Sequence, residues 1–509
     1  SKGTWKECPL SEATVKVITG TWVFRKKRDP RTNEITKYKA RWVLRGDLQD
    51  VAFETYASVV AWTTVRIFLA IALTLGWTMK SLDFSNAFVQ ADIDHDVYTH
   101  LPRGYTSTMN ANNGDRICLR LIKSLYGLAA APKLWRDHCV RNIQELGFVP
   151  STYDPNLFFG PNMILVLYVD DCGLASKDPD KISWFVDELR KRGLELKIEG
   201  DFTSFLGVAV THLGNNRVKL SQPSLIEKIL QATDMENCNP SFTPATPVAI
   251  GSDSNGKDYD ESRWTMSSVI GMLVYLCTNT RPDISCVVSM LARHTKNPKM
   301  SHAQAVKKVL RYLKGTIDKG IEVVILRSFL LVCSVDAEFG GLHRVEPQEN
   351  KDSARSRAGY VIRLNNLPVV WKSTLLGQIC LSTFESEYQA LSLAMQVVLG
   401  LQNLLREVAS KVPLEDDLAT TISARVLEDN SAALRVATTQ RITGRTRYLL
   451  SKWHHFWSHV LSPDEEYNDA TKDKVRIERV ETAKQDADYL TKNLPRETFE
   501  RNRKMVQGW

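Results

Sequence analysis

Apolar and polar positions along the chain follow the two-residue period of strands in some segments and helical spacing in others. The pattern over residues 1–60 predicts short strands separated by turns. Residues 64–76 carry apolar side chains at helical spacing and end on glycine, which predicts a buried helix. Strand-like and helical segments then alternate up to residue 193. This order indicates an α+β domain whose sheet is covered by helices on one face.

The pattern changes twice in the second half of the chain. Residues 222–316 have mainly helical spacing and become strongly basic towards their end. A second α/β segment opens with the apolar stretch Phe329–Gly341 and continues with a predicted hairpin and a long helix. We therefore predict an α+β and α/β multidomain protein, with domains over residues 1–212, 213–325 and 326–509.

Two adjacent carboxylates, Asp170 and Asp171, interrupt an apolar segment that is typical of a hairpin. One interpretation is an ordinary surface turn, where Asp is common because its side chain bonds the nearby backbone. The other interpretation involves Asp83, which ends a different predicted strand. If the two strands are neighbours, the three carboxylates converge and need a cation between them. Mg²⁺ is the usual cation, and pairs of such ions serve phosphoryl transfer in polymerases and nucleases.

A second acidic set lies in the last third of the chain. Its members are predicted at strand ends or on helices, and they are Asp336, Glu387, Asp429 and Asp488. Most Asp and Glu residues are solvated surface groups, which is the alternative interpretation of this set. Asp336 and Asp429 follow apolar or β-prone strands, and this position favours a functional role.

Composition and charge narrow the class of protein. The formal net charge is +8, and residues 1–46 hold twelve Lys or Arg against four Asp or Glu. Strand alternation would put several of these cations on one face, where they either bind phosphate groups or form a solvated edge that discourages aggregation. The apolar runs are too short to cross a bilayer, so we expect no membrane association. Nine scattered cysteines favour reduced intracellular thiols over a disulfide framework or a zinc ribbon.

A series of short motifs runs along nearly the whole chain. In chain order they include KYKARWVLRG, SLDFSNAFVQADIDHDVYTHLPRGY, SLYGLAAAPKLW, STYDPNLF, LYVDD, FLGVAV, NTRPDIS, VLRYLKGT, GYVIRLNN, VVWKS, ESEYQAL, EDNSAA and ADYLTKNLP. Through these motifs the chain resembles the reverse transcriptase–ribonuclease H portion of copia-type (Pseudoviridae) long-terminal-repeat retrotransposon Pol polyproteins. The resemblance is specific because the motifs occur in the order and at the spacing of that family.

The resemblance implies a right-hand polymerase, with fingers and palm in residues 1–212 and a mainly helical thumb or connection in residues 213–325. A ribonuclease H-like domain would follow in residues 326–509. The implied function is RNA-directed DNA polymerase, which copies RNA into DNA by two-metal-ion nucleotidyl transfer, together with a ribonuclease that degrades RNA in RNA–DNA hybrids. The alternative is a decayed or co-opted retroelement remnant that binds nucleic acid without catalysis. Carboxylates are retained at all seven expected positions, which argues against that alternative.

The resemblance also assigns roles in the polymerase. The catalytic and metal-binding residues would be Asp83, Asp170 and Asp171, together with the backbone beside Phe84. The nucleotide-binding residues would be Lys27, Lys39, Arg41, Ala87, Phe88 and Gly127. Phe88 would block a ribose 2′-OH, although an ordinary core Phe is the alternative, and Pro132 would shape the floor under the incoming base. The turn formed by Phe205, Leu206 and Gly207 would position the primer end, and Lys197 would be a candidate proton donor to pyrophosphate.

For the last domain, the resemblance assigns four residues to the catalytic, metal-binding cluster of a ribonuclease H. They are Asp336, Glu387, Asp429 and Asp488. Glu387 is preferred to Glu385 because it directly precedes the YQAL motif. The chain departs from the family pattern at Glu338, in the loop that follows it, and at Tyr448 and Leu450. The pair His454 and His455 is interpreted as structural.

The implied cofactor is Mg²⁺, with two ions in each active site and Mn²⁺ as a substitute. The implied partners are an RNA template, a DNA or tRNA primer, an RNA–DNA hybrid and deoxynucleoside triphosphates, and a homodimer is left open. The chain opens without an initiator Met or a secretory signal. We therefore expect it to be part of a larger Pol polyprotein with a protease and an integrase. We expect a cytoplasmic location in a virus-like particle, with the DNA product delivered to the nucleus.

Overall fold

The computed structural model describes residues 3–28, 35–49, 54–109, 115–343, 345–441, 449, 451–466, 468 and 470–509. The chain divides into two compact units. The first combines residues 1–61 and 78–202, and the second combines residues 62–77 and 203–509. The predicted boundaries at residues 212 and 325 stay predictions. Among the described residues, no helix has both the length and the apolar character that a membrane span requires.

Strands and helices are numbered in chain order. The strands are β1 (Trp5–Pro9), β2 (Val17–Ile18), β3 (Gly20–Arg28), β4 (Ile35–Leu44), β5 (Thr78–Phe84), β6 (Tyr98–His100), β7 (Ile117–Leu121), β8 (Val149–Pro150), β9 (Leu157–Gly160), β10 (Met163–Tyr168), β11 (Asp171–Ser176), β12 (Leu196–Asp201), β13 (Ser204–Phe205), β14 (Val208–Gly214), β15 (Arg217–Ser221), β16 (Gly320–Val324), β17 (Leu330–Glu338), β18 (Arg355–Leu364), β19 (Leu367–Ile379), β20 (Ser423–Glu428) and β21 (Arg476–Arg479). The α-helices are α1 (Trp62–Thr74), α2 (Ala131–Gln144), α3 (Pro179–Lys191), α4 (Pro223–Ala232), α5 (Met266–Asn279), α6 (Ser285–Ala292), α7 (Met300–Lys314), α8 (Thr383–Lys411), α9 (Asp416–Ala419), α10 (Ser431–Thr439), α11 (Asp488–Thr491) and α12 (Arg496–Gln507).

The first unit is built around a six-stranded sheet with the strand order β12-β5-β11-β10-β9-β8. A four-stranded sheet has the order β1-β7-β6-β2, and β3 and β4 form a separate two-stranded ribbon. Helices α2 and α3 share one apolar core with the six-stranded sheet. Their buried side chains fall three or four residues apart, as Trp135, Cys139 and Ile143 show on α2. The predicted α+β organisation is therefore confirmed.

The hairpin β10–β11 lies in the middle of the six-stranded sheet, between β9 and β5. Residues Met163–Leu167 of β10 and Cys172–Ser176 of β11 are buried without alternation. A strand covered on both faces forms a continuous apolar run, which explains why this part of the sequence lacks a two-residue period. The predicted hairpin is confirmed, and its turn lies at the end of the sheet.

The second unit contains a sheet with the strand order β13-β14-β15-β16 and another with the order β19-β18-β17-β20-β21. In the five-stranded sheet, β19, β18 and β17 are antiparallel, whereas β17, β20 and β21 are parallel. Helices α4 to α7 share an apolar core, as the helical spacing over residues 222–316 predicts. The long helix α8 follows its N-cap Ser382, whose hydroxyl accepts a hydrogen bond from the backbone N–H of Glu385, and packs on β17 and β18.

Helix α1 corresponds to the helix predicted over residues 64–76 and ends just before Gly76, which has a φ of +65°. It belongs to the second unit although its neighbours in sequence belong to the first. The buried Arg66 side chain explains this placement, because it donates hydrogen bonds to the carbonyls of Val369, Thr278 and Asn279. Its guanidinium also lies 4.2 Å from the centre of the Trp371 ring.

Candidate metal centres

The first acidic cluster lies where β5 ends and the hairpin β10–β11 turns. Asp171 opens β11 and pairs directly with Asp83 near the end of β5. Side chains of directly opposed residues lie on the same face, with Cβ atoms about 5 Å apart. Asp170 occupies the turn, and its carbonyl accepts a hydrogen bond of 2.9 Å from the backbone N–H of Phe84. The structure therefore brings together the three Asp residues that the sequence predicts, and each is partly exposed.

The turn that carries Asp170 is strained. Its first residue, Val169, has a φ of +54°, a left-handed conformation that is unfavourable for a β-branched side chain. The indole N–H of Trp135 on α2 donates a 2.7 Å hydrogen bond to the Val169 carbonyl. The Trp135 ring is buried and packs edge-on against Phe84, with the ring centres 5.2 Å apart. The indole therefore helps to hold the turn beside β5.

We expect Trp135→Phe to lower the free energy of unfolding by about 2 kcal/mol, because it removes a buried hydrogen bond and leaves a small cavity. Urea denaturation followed by circular dichroism measures this change. The matched control is Trp184→Phe on α3, where the indole is 39% exposed, and a change below about 0.5 kcal/mol is expected there. Equal effects of the two substitutions would contradict the role assigned to Trp135.

One lysine lies beside this acidic cluster. Lys197 pairs with Asp83 across β12 and β5, and its Nζ lies 3.7 Å from Asp83 Oδ2 and 3.0 Å from Glu199 Oε1. The hydrogen bond with Glu199 raises the pKa of Lys197, and the charges of Glu199 and Asp83 add to the effect. The ammonium is therefore protonated at neutral pH, as a proton donor must be. Its role in catalysis stays a prediction.

Two of the predicted nucleotide-binding residues contact Tyr126. The Arg41 guanidinium lies over the Tyr126 ring, 4.8 Å from its centre, and the Phe88 ring meets it edge-on at 5.0 Å. Burial raises the pKa of Tyr126, and the negative charges of Asp170 and Asp83 contribute to the same shift. The tyrosine was not predicted as a site residue, although it lies within the SLYGLAAAP motif. It connects the basic strand β4 with the surroundings of the carboxylates.

Gly127 occupies a position that only glycine can fill. Its φ is +92°, and a Cβ built there would lie 2.1 Å from the Leu44 carbonyl oxygen at the end of β4. Pro132 lies in the first turn of α2, where its missing N–H costs nothing. This loop and β4 are further joined by the hydrogen bond from Leu44 N–H to the Tyr126 carbonyl at 2.8 Å.

The other predicted nucleotide-binding residues are less closely defined. Ala87 is buried three residues after the end of β5, and Lys39 is partly exposed two residues before Arg41 on β4. Alternation therefore places Lys39 and Arg41 on the same face of the ribbon. Lys27 pairs with Lys37 in the ribbon, but its side chain lies outside the described part of the structure.

The predicted primer-positioning turn lies in the second unit. Phe205 ends β13, and Leu206 and Gly207 turn the chain into β14 with φ values of +47° and +77°. The Tyr275 hydroxyl donates a 2.6 Å hydrogen bond to the Leu206 carbonyl, and Trp62 packs edge-on against Phe205. The turn exists as predicted, and its relation to a primer stays a prediction.

The second acidic cluster lies at one end of the five-stranded sheet. Asp336 is near the end of β17, Asp429 follows the parallel neighbour β20, and Glu387 comes from helix α8. Carboxylate oxygens of these three residues lie within 4.8 Å of one another. Asp488, the fourth predicted member, opens α11, and its charge acts on Asp336. The Thr491 hydroxyl also donates a 2.6 Å hydrogen bond to Asp336 Oδ2.

Burial and mutual repulsion make this cluster costly to ionise without a cation. Burial, followed by the charge of Asp488, raises the pKa of Asp336 to about 7. Burial, followed by the charges of Asp336, Glu428 and Asp429, raises the pKa of Glu387 to about 11. Within the described residues, Glu387 Oε2 is buried without a hydrogen-bond partner. A divalent cation with oxygen ligands would satisfy these carboxylates, so the residues fit such a metal.

Glu428 is a buried acid that the sequence analysis did not select. It ends β20, immediately before Asp429, and burial raises its pKa well above the ordinary range. Its Oε1 accepts a hydrogen bond from the backbone N–H of Asn430, and its Oε2 is buried without a partner in the described structure. Alternation with the buried residues Ala424 and Val426 would have placed it on the covered face of β20.

The pair His454 and His455 contacts helix α8. His454 Nδ1 lies 2.8 Å from the Tyr388 hydroxyl, and His455 Nε2 lies 3.1 Å from the Ser392 carbonyl oxygen. Both contacts hold the segment that follows α10 against the helix that carries Glu387. The family departures at Tyr448 and Leu450 lie outside the described residues.

We expect the metal-free protein to lose stability as the pH rises. Asp336 and Glu387 keep their protons in the folded state above pH 3.8 and 4.5, the values at which the exposed groups ionise. Below about pH 4 both groups are protonated in the folded and the unfolded state. At higher pH the free energy of unfolding falls by about 1.4 kcal/mol per pH unit for each group, up to about pH 7 for Asp336 and throughout the range to pH 8 for Glu387. Thermal unfolding in a chelator from pH 5 to 8 measures this slope. Added Mg²⁺ should raise the melting temperature more at pH 8 than at pH 5, and an equal effect would contradict the assignment.

Comparison with known proteins defines the class. Residues 4–247 match the family model described as "Reverse transcriptase (RNA-dependent DNA polymerase)". This match includes the first acidic cluster, and together with the mixed α/β sheets it confirms the predicted α+β and α/β multidomain class with a polymerase fold. The ribonuclease H-like character of residues 326–509 stays a prediction.

Relatives match almost the whole chain. It is 29% identical to the Retrovirus-related Pol polyprotein from transposon RE1 of Arabidopsis thaliana and 28% identical to that from transposon TNT 1-94 of Nicotiana tabacum, over 98% and 99% of this chain. The chain spans 32% and 36% of these relatives, about a third of their length. Among solved structures, the chain is similar to the foamy viral protease-reverse transcriptase in complex with double-stranded DNA. The superposition covers 94% of this chain and 67% of the foamy viral chain, with a TM-score of 0.45 and 11% sequence identity. The predicted resemblance to copia-type retrotransposon Pol polyproteins is confirmed by the family model and the transposon relatives.

Proposed function

We propose that the chain is an RNA-directed DNA polymerase of a copia-type retrotransposon, with a ribonuclease H in its last part. The observation that carries the proposal is the direct pairing of Asp83 with Asp171 beside the Asp170 turn. It lies inside the segment that matches the reverse transcriptase family. In the reaction, the 3′-OH of a primer attacks the α-phosphate of a deoxynucleoside triphosphate and pyrophosphate leaves.

Different polymerase residues would bind the metal ions, the triphosphate and the sugar of the nucleotide. Asp83 and Asp170, with the backbone of Phe84, would hold two divalent cations, Mg²⁺ or in its place Mn²⁺. When bound, these ions supply Lewis acidity to an in-line phosphoryl displacement. The cations of β4, Arg41 above all, would bind the triphosphate.

Phe88 would reject a ribonucleotide by contact with its 2′-OH. The Phe88 ring packs against Tyr126, and the Arg41 guanidinium lies over the same tyrosine ring. Tyr126 would therefore position both the residue that binds phosphate and the residue that contacts the sugar. Lys197, already protonated beside Asp83, would give a proton to the leaving pyrophosphate.

For the ribonuclease, we propose that Asp336, Glu387, Asp429 and Asp488 would hold divalent cations and direct hydrolysis of the RNA strand. Glu387 Oε2 supports this role because it is buried and has no hydrogen-bond partner in the described structure, and a bound cation would supply one. The substrate would be an RNA–DNA hybrid recognised by its shape and 2′-OH groups.

We also propose that the chain works as part of a longer polyprotein. The relatives that it matches are named Pol polyproteins, and the chain spans about a third of their length. A protease and an integrase in the same precursor, an RNA template with a DNA or tRNA primer, and a site of action in a cytoplasmic particle belong to this proposal.

Primer extension tests the proposed function. The purified chain with Mg²⁺ and deoxynucleotides should extend a labelled DNA primer on an RNA template, and a chelator should stop the reaction. Binding of the primer–template without any extension would overturn the proposal and favour a nucleic-acid-binding remnant.

A further inference from the structure

A lysine is bound to one of the four carboxylates of the second cluster. Lys492 Nζ lies 2.7 Å from Asp488 Oδ1, one helical turn away. The Asp488 side chain is only 10% exposed, whereas that of Lys492 is 39% exposed, so the ammonium closes the outer side of the carboxylate. The positive charge of Lys492 also acts on Asp336 and Glu338.

The four carboxylates are therefore not equivalent. Oxygens of Asp336, Glu387 and Asp429 converge within 4.8 Å, and the buried Oε2 of Glu387 has no partner among the described residues. Asp488 is not a member of this group, and one of its oxygens is already neutralised. The structure thus presents one three-carboxylate site and one carboxylate that is occupied by an internal cation.

We propose that Lys492 stands in for the second divalent cation and must leave Asp488 before that cation can bind. The inference rests on the proposed ribonuclease function, and it makes Lys492 a positioning residue that controls how many ions the site takes. An ammonium and a divalent cation on one carboxylate oxygen would lie about 4 Å apart and repel each other, so the ammonium opposes binding of an ion at Asp488. The flexible four-carbon stem and partial exposure of Lys492 allow the ammonium to move to solvent or to a phosphodiester oxygen of a bound hybrid.

The simpler interpretation is a helical i,i+4 ion pair that only supports the fold. Such a pair contributes about 0.3–0.5 kcal/mol, and its loss would leave metal binding unchanged. The two interpretations therefore differ in the number of ions bound by the protein without any nucleic acid. This readout does not depend on catalysis.

Mn²⁺ binding, followed by electron paramagnetic resonance of the free ion, separates them. The parent for this experiment is the full chain with Asp83→Asn and Asp170→Asn, so that the first cluster contributes no ions. The test variant adds Lys492→Met, which keeps the length of the stem but removes the charge. The control variant adds Lys484→Met, which replaces an exposed lysine that pairs with the exposed Glu481. Thermal unfolding checks that all three proteins are folded.

We expect the parent and the Lys484→Met variant to bind one Mn²⁺, and the Lys492→Met variant to bind a second with a Kd within about tenfold of the first. Identical stoichiometry and affinity in the three proteins would overturn the inference while the proposed ribonuclease function stands. No Mn²⁺ binding to any of them would overturn that function, and the inference with it.

Discussion

Asp170→Asn is expected to reduce primer extension on an RNA template by about 10³-fold or more, the loss typical of a group that acts in the transition state. The substitution removes a negative charge and keeps the shape of the side chain. The hydrogen bond that fixes the turn uses the Asp170 backbone carbonyl and the Phe84 N–H, so the variant should fold normally. Single-turnover extension at saturating primer–template measures the effect separately from binding.

The matched control is Asp187→Asn on α3. That side chain is 62% exposed, and it pairs with Arg190 at 3.3 Å, three residues along the helix. Extension by the control should equal that of the parent, and template binding should be unchanged in both variants. Full extension activity in Asp170→Asn would exclude the carboxylate cluster as the polymerase site.

Glu387→Gln is expected to have two opposite effects. Cleavage of a labelled RNA–DNA hybrid should fall by about 10³-fold or more, because the substitution removes a predicted metal ligand. The metal-free protein should gain up to about 5 kcal/mol of stability at pH 8, because folding then no longer requires a buried carboxyl with a raised pKa to take up a proton. The gain should vanish below about pH 4.5, the ordinary pKa of a glutamate, because Glu387 is then protonated in both the folded and the unfolded state.

Glu385→Gln provides the control on the same helix. Glu385 lies two residues earlier, and its Oε2 accepts a 2.7 Å hydrogen bond from the Leu381 N–H at the start of α8. It should lose a little stability, keep hybrid cleavage and show no gain in metal-free buffer. If Glu385→Gln abolished cleavage and Glu387→Gln did not, the choice between the two acids would be wrong.

The polymerase cluster could be predicted from the sequence because its determinants are local. An apolar run on each side of Asp170 and Asp171 indicates a buried hairpin, and Asp83 ends a strand-like segment. The direct pairing of Asp83 with Asp171 is a long-range fact that the spacing of residues does not contain. The strained Val169 turn and its bond to Trp135 were not predictable for the same reason.

Helix α1 could be predicted from the local sequence pattern, but its place in the fold could not. Apolar residues at helical spacing predicted a buried helix over residues 64–76, and the structure has a largely buried helix over Trp62–Thr74. Its membership in the second unit depends on Arg66 and on carbonyls more than 200 residues away, which no local pattern encodes. Glu428 and Lys492 were overlooked because a buried acid and a paired lysine look like ordinary surface charges in a sequence.

The central claim is that the chain carries two separate carboxylate sites with different chemistry. The most direct measurement assays one set of proteins, the parent, Asp170→Asn and Glu387→Gln, for both primer extension and hybrid cleavage in Mg²⁺. We predict that Asp170→Asn loses extension and keeps cleavage, whereas Glu387→Gln loses cleavage and keeps extension. Loss of both activities from either single substitution, in protein that remains folded, would contradict the claim.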